Sequence, residues 1–411
     1  MAVVSPFRAL RYDAARVGDL GAVVAPPYDV ISRAQQDALY ARSPWNVVRL
    51  ILPREPERAS SAARTLHGWM ESGVLALDPE PALYFYSQEF SLSDGSRHCR
   101  DGVLCRLGLE EFSRGVVRPH ERTFPGPKAD QLALLRATGA YLSPIFGLYA
   151  RPHERLRDVA GIAGSPLVEL AEEPGKVHGE VHRLWRVTDA GAVAQVAAAL
   201  AGETIFIADG HHRYETALAY RGERGAAGPS SVLAFLSNME EPGLVVLPTH
   251  RLLRVPLRLV PADFEARLRE SFAVVPLPRE PRPAGSIDVV LPDRRLRVRP
   301  QAAALALVAS LPPTVRALDV AVLHGALLEP ILGIASGDLE FTHEDAEAFE
   351  AVKSRRATAA FLLNPPSVAT VRAVCLAGQL MPEKSTYFYP KLASGLVFDL
   401  IGPPGAASRP D

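Results

Sequence analysis

The residues best suited to chemistry follow an apolar segment at positions 205–208, near the middle of the chain. An acid, a glycine, two histidines and an arginine come next: Asp209, Gly210, His211, His212 and Arg213. The pattern predicts a strand, a glycine turn and a helix, which gather backbone N–H groups and a positive dipole end at one point. Such a point binds anions, most often phosphate. The alternative is a helix N-cap, Asp209, followed by surface histidines. Several polar groups crowded at the carboxyl end of a strand favour a binding site instead.

Each side chain of this loop has a chemical use. Arg213 offers a bidentate guanidinium for phosphate oxygens, and His211 and His212 can donate hydrogen bonds or protons. Asp209 can hold a metal or accept a proton. The loop therefore combines an anion site with acid–base groups.

A second candidate site lies in the Pro/Gly-framed loop at positions 120–132, which leads into a predicted helix. A solvated loop is the alternative, but this one carries a histidine, an acid, an arginine, a threonine and a lysine in a rigid frame: His120, Glu121, Arg122, Thr123 and Lys128. Glu121 is the predicted general base, while Arg122 and Lys128 would neutralise phosphate oxygens.

Tyr28 and Asp29 follow two prolines and form a third, weaker candidate, for which a simple turn is the alternative. Asp29 competes with Glu121 as the general base.

Lysine is rare in this chain: of 45 basic residues, five are lysines, namely Lys128, Lys176, Lys353, Lys384 and Lys391. A chain that chooses arginine so consistently is expected to keep lysine where a compact ammonium is needed, with chance as the alternative.

The whole chain predicts a mixed α+β protein of 411 residues in two domains, at 1–250 and 251–411, with a final strand that returns to the first. Hairpin strands are predicted at 81–90 and 97–107, and helices at 129–138, 192–200, 215–221, 261–272 and 315–328.

The net charge of −1 gives no reason to expect binding to nucleic acid. No apolar run suits a membrane helix, and we expect a cytoplasmic protein. Whether the protein forms a homo-oligomer stays open.

Several motifs together resemble a bacterial and archaeal family known as domain of unknown function 1015. They are Pro6-Phe-Arg-Ala-Leu10, Pro27-Tyr-Asp-Val-Ile31, His120-Glu-Arg-Thr123 with Pro127-Lys-Ala-Asp130, Ser143-Pro-Ile-Phe-Gly147, Asp209-Gly-His-His-Arg-Tyr-Glu215 and Pro382-x-Lys-Ser-Thr-Tyr-Phe-Tyr-Pro-Lys391. They span almost the entire chain.

The strand–loop–helix unit is also similar to the phosphate loop of the ParB/sulfiredoxin superfamily. That resemblance implies a nucleotide-binding core with large insertions. His211 stands where sulfiredoxin has its catalytic cysteine, and the helix-turn-helix pattern of ParB proteins is missing after Arg213. Nucleotide-dependent free-serine kinases resemble the loop most closely.

The resemblance implies phosphoryl transfer from ATP or ADP, with Mg²⁺, to a small-molecule alcohol, with free L-serine as the first candidate. Gly210 and Arg213 would hold the phosphates and Lys128 would approach the transferred group. Two alternatives stay open: a non-catalytic nucleotide-binding switch acting on a partner protein, and a phosphatase or phosphotransferase with His211 or His212 as nucleophile.

Overall fold

The chain divides into two compact units that alternate along the sequence. The computed structural model describes residues 1–123, 125–152, 155–162, 164–171, 179–256, 261–334 and 336–402. Unit 1 comprises Met1–Pro119, Thr123–Val245 and Pro390–Asp411, and unit 2 comprises His120–Arg122 and Val246–Tyr389. The loop at 120–132 is thus shared between the units, because the chain passes from one to the other after Arg122.

The strands are short, with few exceptions. In chain order they are β1 (Val4–Ser5), β2 (Leu10–Tyr12), β3 (Leu75–Leu77), β4 (Leu83–Ser91), β5 (Arg97–Gly108), β6 (Val117–Arg118), β7 (Ala140–Tyr141), β8 (Ile145–Tyr149), β9 (Val168–Ala171), β10 (Val181–Val187), β11 (Ile205–Asp209), β12 (Ser231–Asn238), β13 (Val245–Leu247), β14 (His250–Leu253), β15 (Phe272–Pro276), β16 (Ile287–Val290), β17 (Arg295–Pro300), β18 (Leu339–Thr342), β19 (Ala359–Leu362), β20 (Tyr387–Tyr389) and β21 (Asp399–Leu400).

The α-helices are α1 (Ala14–Val17), α2 (Arg33–Arg42), α3 (Val48–Ile51), α4 (Arg58–Glu71), α5 (Pro125–Thr138), α6 (Leu156–Val159), α7 (Ala190–Leu200), α8 (His211–Arg224), α9 (Pro261–Ser271), α10 (Ala302–Leu307), α11 (Pro313–Arg316), α12 (Asp319–Val322), α13 (Asp345–Lys353) and α14 (Val368–Leu376). A π-helical segment, Leu323–Leu332, follows α12, so the single helix predicted at 315–328 is wrong. Short 3₁₀ turns lie at Leu20–Ala22, Tyr28–Val30, Phe112–Arg114, Gly225–Ala227 and Ser336–Asp338.

Unit 1 is built on a mixed sheet with the order β6-β11-β8-β12-β5-β4-β10-β9, and β1 pairs with β5. β12 runs parallel to β8 and β11 parallel to β6, whereas β4, β5 and β10 are antiparallel neighbours. The first six residues of β4 are all buried, which explains its aromatic composition. The predicted α+β class with a mixed sheet is confirmed.

Unit 2 has its own sheet, with the order β15-β17-β16-β19-β14-β18. Every pair in it is antiparallel. A separate apolar cluster, which includes Leu252, Val290, Val352 and Leu362, packs α13 against this sheet. Each unit therefore buries apolar residues of its own.

The loop singled out from the sequence lies where β11 ends. The first four residues of β11 are buried, and its pairing with β8 shifts register between Ile207 and Asp209. Such a bulge redirects side chains at the end of a strand. Helix α8 follows and buries His211, Tyr214, Thr216 and Ala217 on one face.

Candidate functional site

Gly210 makes the turn from strand to helix. Its φ of 86° lies in the left-handed region, which favours glycine, and it precedes the 14-residue helix α8 without a side-chain cap. A Cβ on Gly210 would lie only 3.0 Å from Nε and Cζ of Arg213. Glycine is therefore needed here for its conformation and for the close approach of the guanidinium.

Two cations converge on the carboxylate of Asp209. Arg213 donates from Nη2 to Asp209 Oδ2 at 2.5 Å, and Lys391 donates from Nζ to Asp209 Oδ1. The other arm of Arg213 bonds the carbonyl oxygen of Pro144. The side chains of Arg213, Lys391 and Asp209 are only 11%, 13% and 14% exposed. One carboxylate thus faces two cations, which leaves a net charge of +1 beside the glycine turn.

Asp209 stays ionised in this arrangement. Burial raises its pKa, but the nearby charges of Lys391, Arg213 and His211 outweigh burial and hold the pKa far below the usual range. A carboxylate with so low a pKa is a poor proton acceptor at neutral pH. Asp209 is therefore better suited to orienting the two cations than to acting as a base.

A buried polar cluster lies on the neighbouring strands β4, β5 and β10. Arg100 is fully buried and donates to Gln88 Oε1 and to the carbonyl oxygen of Pro390, the residue before Lys391. Burial lowers the pKa of Arg100 to about 10, and the charge of Asp209 is among those that favour its charged form. The cluster fixes the backbone that presents Lys391.

Tyr86 and His182 extend this cluster. The Tyr86 hydroxyl lies 2.7 Å from Nδ1 of His182, and the two rings are stacked. Burial, aided by the positive charge of Arg100, lowers the pKa of His182 to about 4. The imidazole is therefore neutral at neutral pH.

Thr123 and Lys128 lie against the second turn of α8. Both donate to Oε2 of Glu215, the threonine hydroxyl at 2.9 Å and the lysine ammonium at 3.0 Å. Lys128 is 37% exposed. These two predicted residues thus share unit 1 with the Asp209 loop.

Tyr28 and Asp29 also belong to unit 1. They begin a 3₁₀ turn in which Asp29 is exposed. Burial raises the pKa of Tyr28 to about 12, with further contributions from Asp29 and Asp209, opposed by Arg213. The phenol of Tyr28 therefore experiences the charges of the Asp209 loop.

The other predicted residues of the second loop belong to unit 2. His120 is buried, with Nε2 lying 2.8 Å from Thr386 Oγ1. Glu121 Oε1 accepts from the backbone N–H of Lys384 at 2.9 Å, and Lys384 has a left-handed φ of 54°. Arg122 is exposed. Glu121 thus belongs to unit 2 and Lys128 to unit 1, although only seven positions separate them in the sequence.

Asp209 does not fit the role of a metal ligand. Both Asp209 oxygens bond cations, and no group of three or more His, Cys, Asp or Glu side chains able to hold a metal occurs in the part of the chain that the structure describes. Mg²⁺ is usually bound through one or two available carboxylates together with the phosphates. Asp209 as a metal ligand is therefore not supported.

Sequence reasoning did not count Lys391, Gln88, Arg100 or Glu215 among the site residues. The scarcity of lysine is a signal for Lys391. For Gln88 and Arg100 the signal is that both are polar residues of the predicted hairpin, where they lie opposite each other in the register. Both signals were present in the sequence.

Comparison with known families now places the chain. Residues 4–321 match the model of the family described as "Protein of unknown function (DUF1015)". The chain belongs to this family. Its membership, predicted from motifs along the sequence, is confirmed. The chain matches none of the curated proteins with which it was compared.

Solved structures with similarity to this family member share little sequence with it. A conserved hypothetical protein from Pyrococcus furiosus is 12% identical, with a TM-score of 0.37, over 73% of this chain and 95% of that chain. A free serine kinase in complex with AMP is 13% identical, with a TM-score of 0.37, over 72% and 92%. SbnI with a C-terminal truncation, from Staphylococcus aureus, is 12% identical, with a TM-score of 0.38, over 72% and 87%.

No helix in the described part of the chain is long and apolar enough to cross a membrane.

Proposed function

We propose that this protein transfers a phosphoryl group from ATP or ADP to a small-molecule alcohol, with free L-serine as the first acceptor to test. The observation that carries the proposal is the convergence of Lys391 and Arg213 on Asp209, beside the Gly210 turn that begins α8. Phosphoryl transfer needs mainly positioning and charge neutralisation. A loop with a net positive charge and a helix N-terminus supplies both.

The loop residues take distinct roles in this proposal. The backbone at Gly210, His211 and His212 approaches the terminal phosphates, and the absence of a side chain at Gly210 leaves room for this approach. Lys391 and Arg213 neutralise phosphate oxygens, and Asp209 holds the two cations in place. Lys128, held by Glu215, approaches the transferred group from the neighbouring helix α5.

Asp29 and Glu121 are the two candidate general bases, and Asp29 is the one to test first. Asp29 lies in unit 1 with the loop, and its neighbour Tyr28 experiences the charges of Arg213 and Asp209. Glu121 lies in unit 2, where its carboxylate accepts from the backbone of Lys384. Its contact there supports a structural role.

Turnover tests the proposal. The full chain is incubated with ATP, and separately with ADP, in buffer containing Mg²⁺, and nucleotide consumption is followed while the L-serine concentration is raised. Consumption that rises with the acceptor and saturates is expected. Consumption without any acceptor would instead favour a phosphatase using His211 or His212, and saturable nucleotide binding without consumption across acceptors would favour a switch.

A further inference from the structure

Three arginines surround Asp78 in unit 1. Arg11 donates from Nη2 and Nε to the two carboxylate oxygens of Asp78, Oδ1 and Oδ2, at 2.6 and 2.9 Å. Arg186 Nη1 lies 3.7 Å from the same Oδ1 atom, and Arg8 donates from Nε to the backbone carbonyl oxygen of Asp78 at 2.8 Å. Three guanidinium charges thus meet one carboxylate, and an excess of positive charge remains even if the exposed Glu80 is included.

Asp78 is a fixed centre for these charges. The Tyr84 hydroxyl donates to Asp78 Oδ2 at 2.6 Å, and the backbone N–H of Asp78 donates to the carbonyl oxygen of Ala9 at 2.8 Å. Burial raises the pKa of Asp78, but hydrogen bonds from Arg11 and Tyr84 outweigh burial and lower the pKa. The carboxylate therefore stays ionised and holds its arginines in place.

The arginines have more hydrogen-bond donors than this carboxylate can use. At 3.7 Å, Arg186 is too far from Asp78 for a hydrogen bond, and its guanidinium makes none with the residues that the structure describes. The side chains of Arg11 and Arg186 are 18% and 29% exposed. None of their nitrogen atoms belongs to the described buried polar atoms that lack a partner, so the unused donors are accessible to solvent.

A purely structural ion pair does not require this arrangement. Arg11 already satisfies both oxygens of Asp78, so Arg186 adds a second positive charge beside Arg11 without gaining a hydrogen bond. Two like charges repel each other, and an anion bound beside both relieves the repulsion. The forked N–H groups of a guanidinium match the oxygens of a phosphate group.

The arginines around Asp78 lie apart from the Asp209 loop. Tyr84, which bonds Asp78, is four residues from Gln88 on β4, and Gln88 donates to the backbone carbonyl oxygen of Lys391. Four residues of strand span about 13 Å, a distance that a single phosphate group does not bridge.

We propose that Arg8, Arg11 and Arg186 form a second anion site, which binds a phosphate dianion, either inorganic phosphate or the phosphate group of a small phosphomonoester. This inference does not depend on phosphoryl transfer. It also gives a role to Arg8, which belongs to the motif at 6–10 that the proposed function leaves unused.

Calorimetric titration of inorganic phosphate and of methyl phosphate, at constant ionic strength, tests the site. The full chain carries Lys391→Met, so that the Asp209 loop contributes little to phosphate binding. We expect saturable binding, weakened about tenfold when Arg186→Gln is added, since one charge-assisted hydrogen bond is lost. The melting temperature should hardly change on adding Arg186→Gln, because Arg186 makes no hydrogen bond with the described residues.

Arg183→Gln, in the same Lys391→Met protein, is the matched control. Arg183 lies on the same strand as Arg186 and is 25% exposed, but its guanidinium bonds Glu89 and Glu169. Phosphate affinity should stay within about twofold in this control because exposed charges farther away are screened by salt.

The ligand that binds more tightly identifies the source of the phosphate group: methyl phosphate indicates a phosphomonoester and inorganic phosphate the free ion, and both support the site. Absence of saturable binding, unchanged affinity in Arg186→Gln, or an equal loss in Arg183→Gln would overturn the inference. Phosphate binding that requires Arg186, in a protein without turnover, would leave the inference intact and refute the proposed function alone.

Discussion

Removing the charge of Lys391 should weaken nucleotide binding far more than it weakens the fold. Lys391→Met keeps the length of the side chain and deletes the ammonium, so the net charge beside Gly210 falls from +1 to zero while Arg213 still pairs with Asp209. A hydrogen bond to a charged group is worth about 1.5–3 kcal/mol. The dissociation constants of ATP and ADP should therefore rise by about 10- to 150-fold.

Calorimetric titration of both nucleotides at two salt concentrations measures this effect. The matched control is Lys353→Met, the same chemical change at a lysine of unit 2 that is 74% exposed and pairs with Glu350. Wild-type affinity is expected for the control. The salt dependence of binding should also decrease in Lys391→Met, since one cation fewer meets the phosphates. Equal affinities in the wild type and in Lys391→Met would refute the assignment of Lys391 to the phosphate site.

Three further outcomes are expected. Gly210→Ala should lose nucleotide affinity because its Cβ displaces the Arg213 guanidinium. The control is Gly95→Ala, with a similar φ of 83° and open space around it, which should lower the melting temperature but leave nucleotide affinity unchanged. Melting curves and calorimetry compare the two variants. Asp29→Asn should lower turnover by about 10²–10⁴-fold at unchanged nucleotide affinity, and full turnover in this variant would remove Asp29 as the base. Asp209 has a folded pKa below its unfolded value of about 3.9, so its stabilisation should persist from pH 8 to 5 and disappear as the pH falls below about 4; acid unfolding of the wild type and Asp209→Asn measures the difference.

Local patterns predicted the elements that position the site. The hairpin expected at 81–90 and 97–107 is β4 and β5, Leu83–Ser91 and Arg97–Gly108. The first segment is aromatic and partly alternating, and the Ser-Asp-Gly turn joins it to the second. The strand, glycine turn and helix of the Asp209 loop also follow from three adjacent segments. Such features depend on neighbours in the sequence, which is why they could be predicted.

Long-range contacts were less accessible from the sequence. Lys391 contacts Asp209 across 182 residues, a pairing that no local spacing encodes. Conversely, Glu121 and Lys128 are close in sequence, yet the chain changes units between them, and each bonds residues far along the chain. Proximity in sequence does not report hydrogen-bond partners of this kind.

The helix prediction at 315–328 failed because the apolar pattern does not show where the backbone geometry changes. The apolar pattern continues through the region, but the backbone breaks into α11, α12 and a π-helical segment that contains Pro330. Proline removes a helical hydrogen bond, and π-helical pairing changes the angular position of each side chain. Periodicity alone does not report such breaks.

Phosphorus NMR on the full chain tests phosphoryl transfer most directly. The protein is incubated with ATP and then with ADP in buffer containing Mg²⁺, first with L-serine and then with a mixture of metabolite alcohols. We expect a phosphomonoester signal that grows as the terminal phosphate signal of the nucleotide declines, and that is absent in Asp29→Asn. Nucleotide spectra that stay unchanged with every acceptor, while calorimetry shows saturable nucleotide binding, would contradict it.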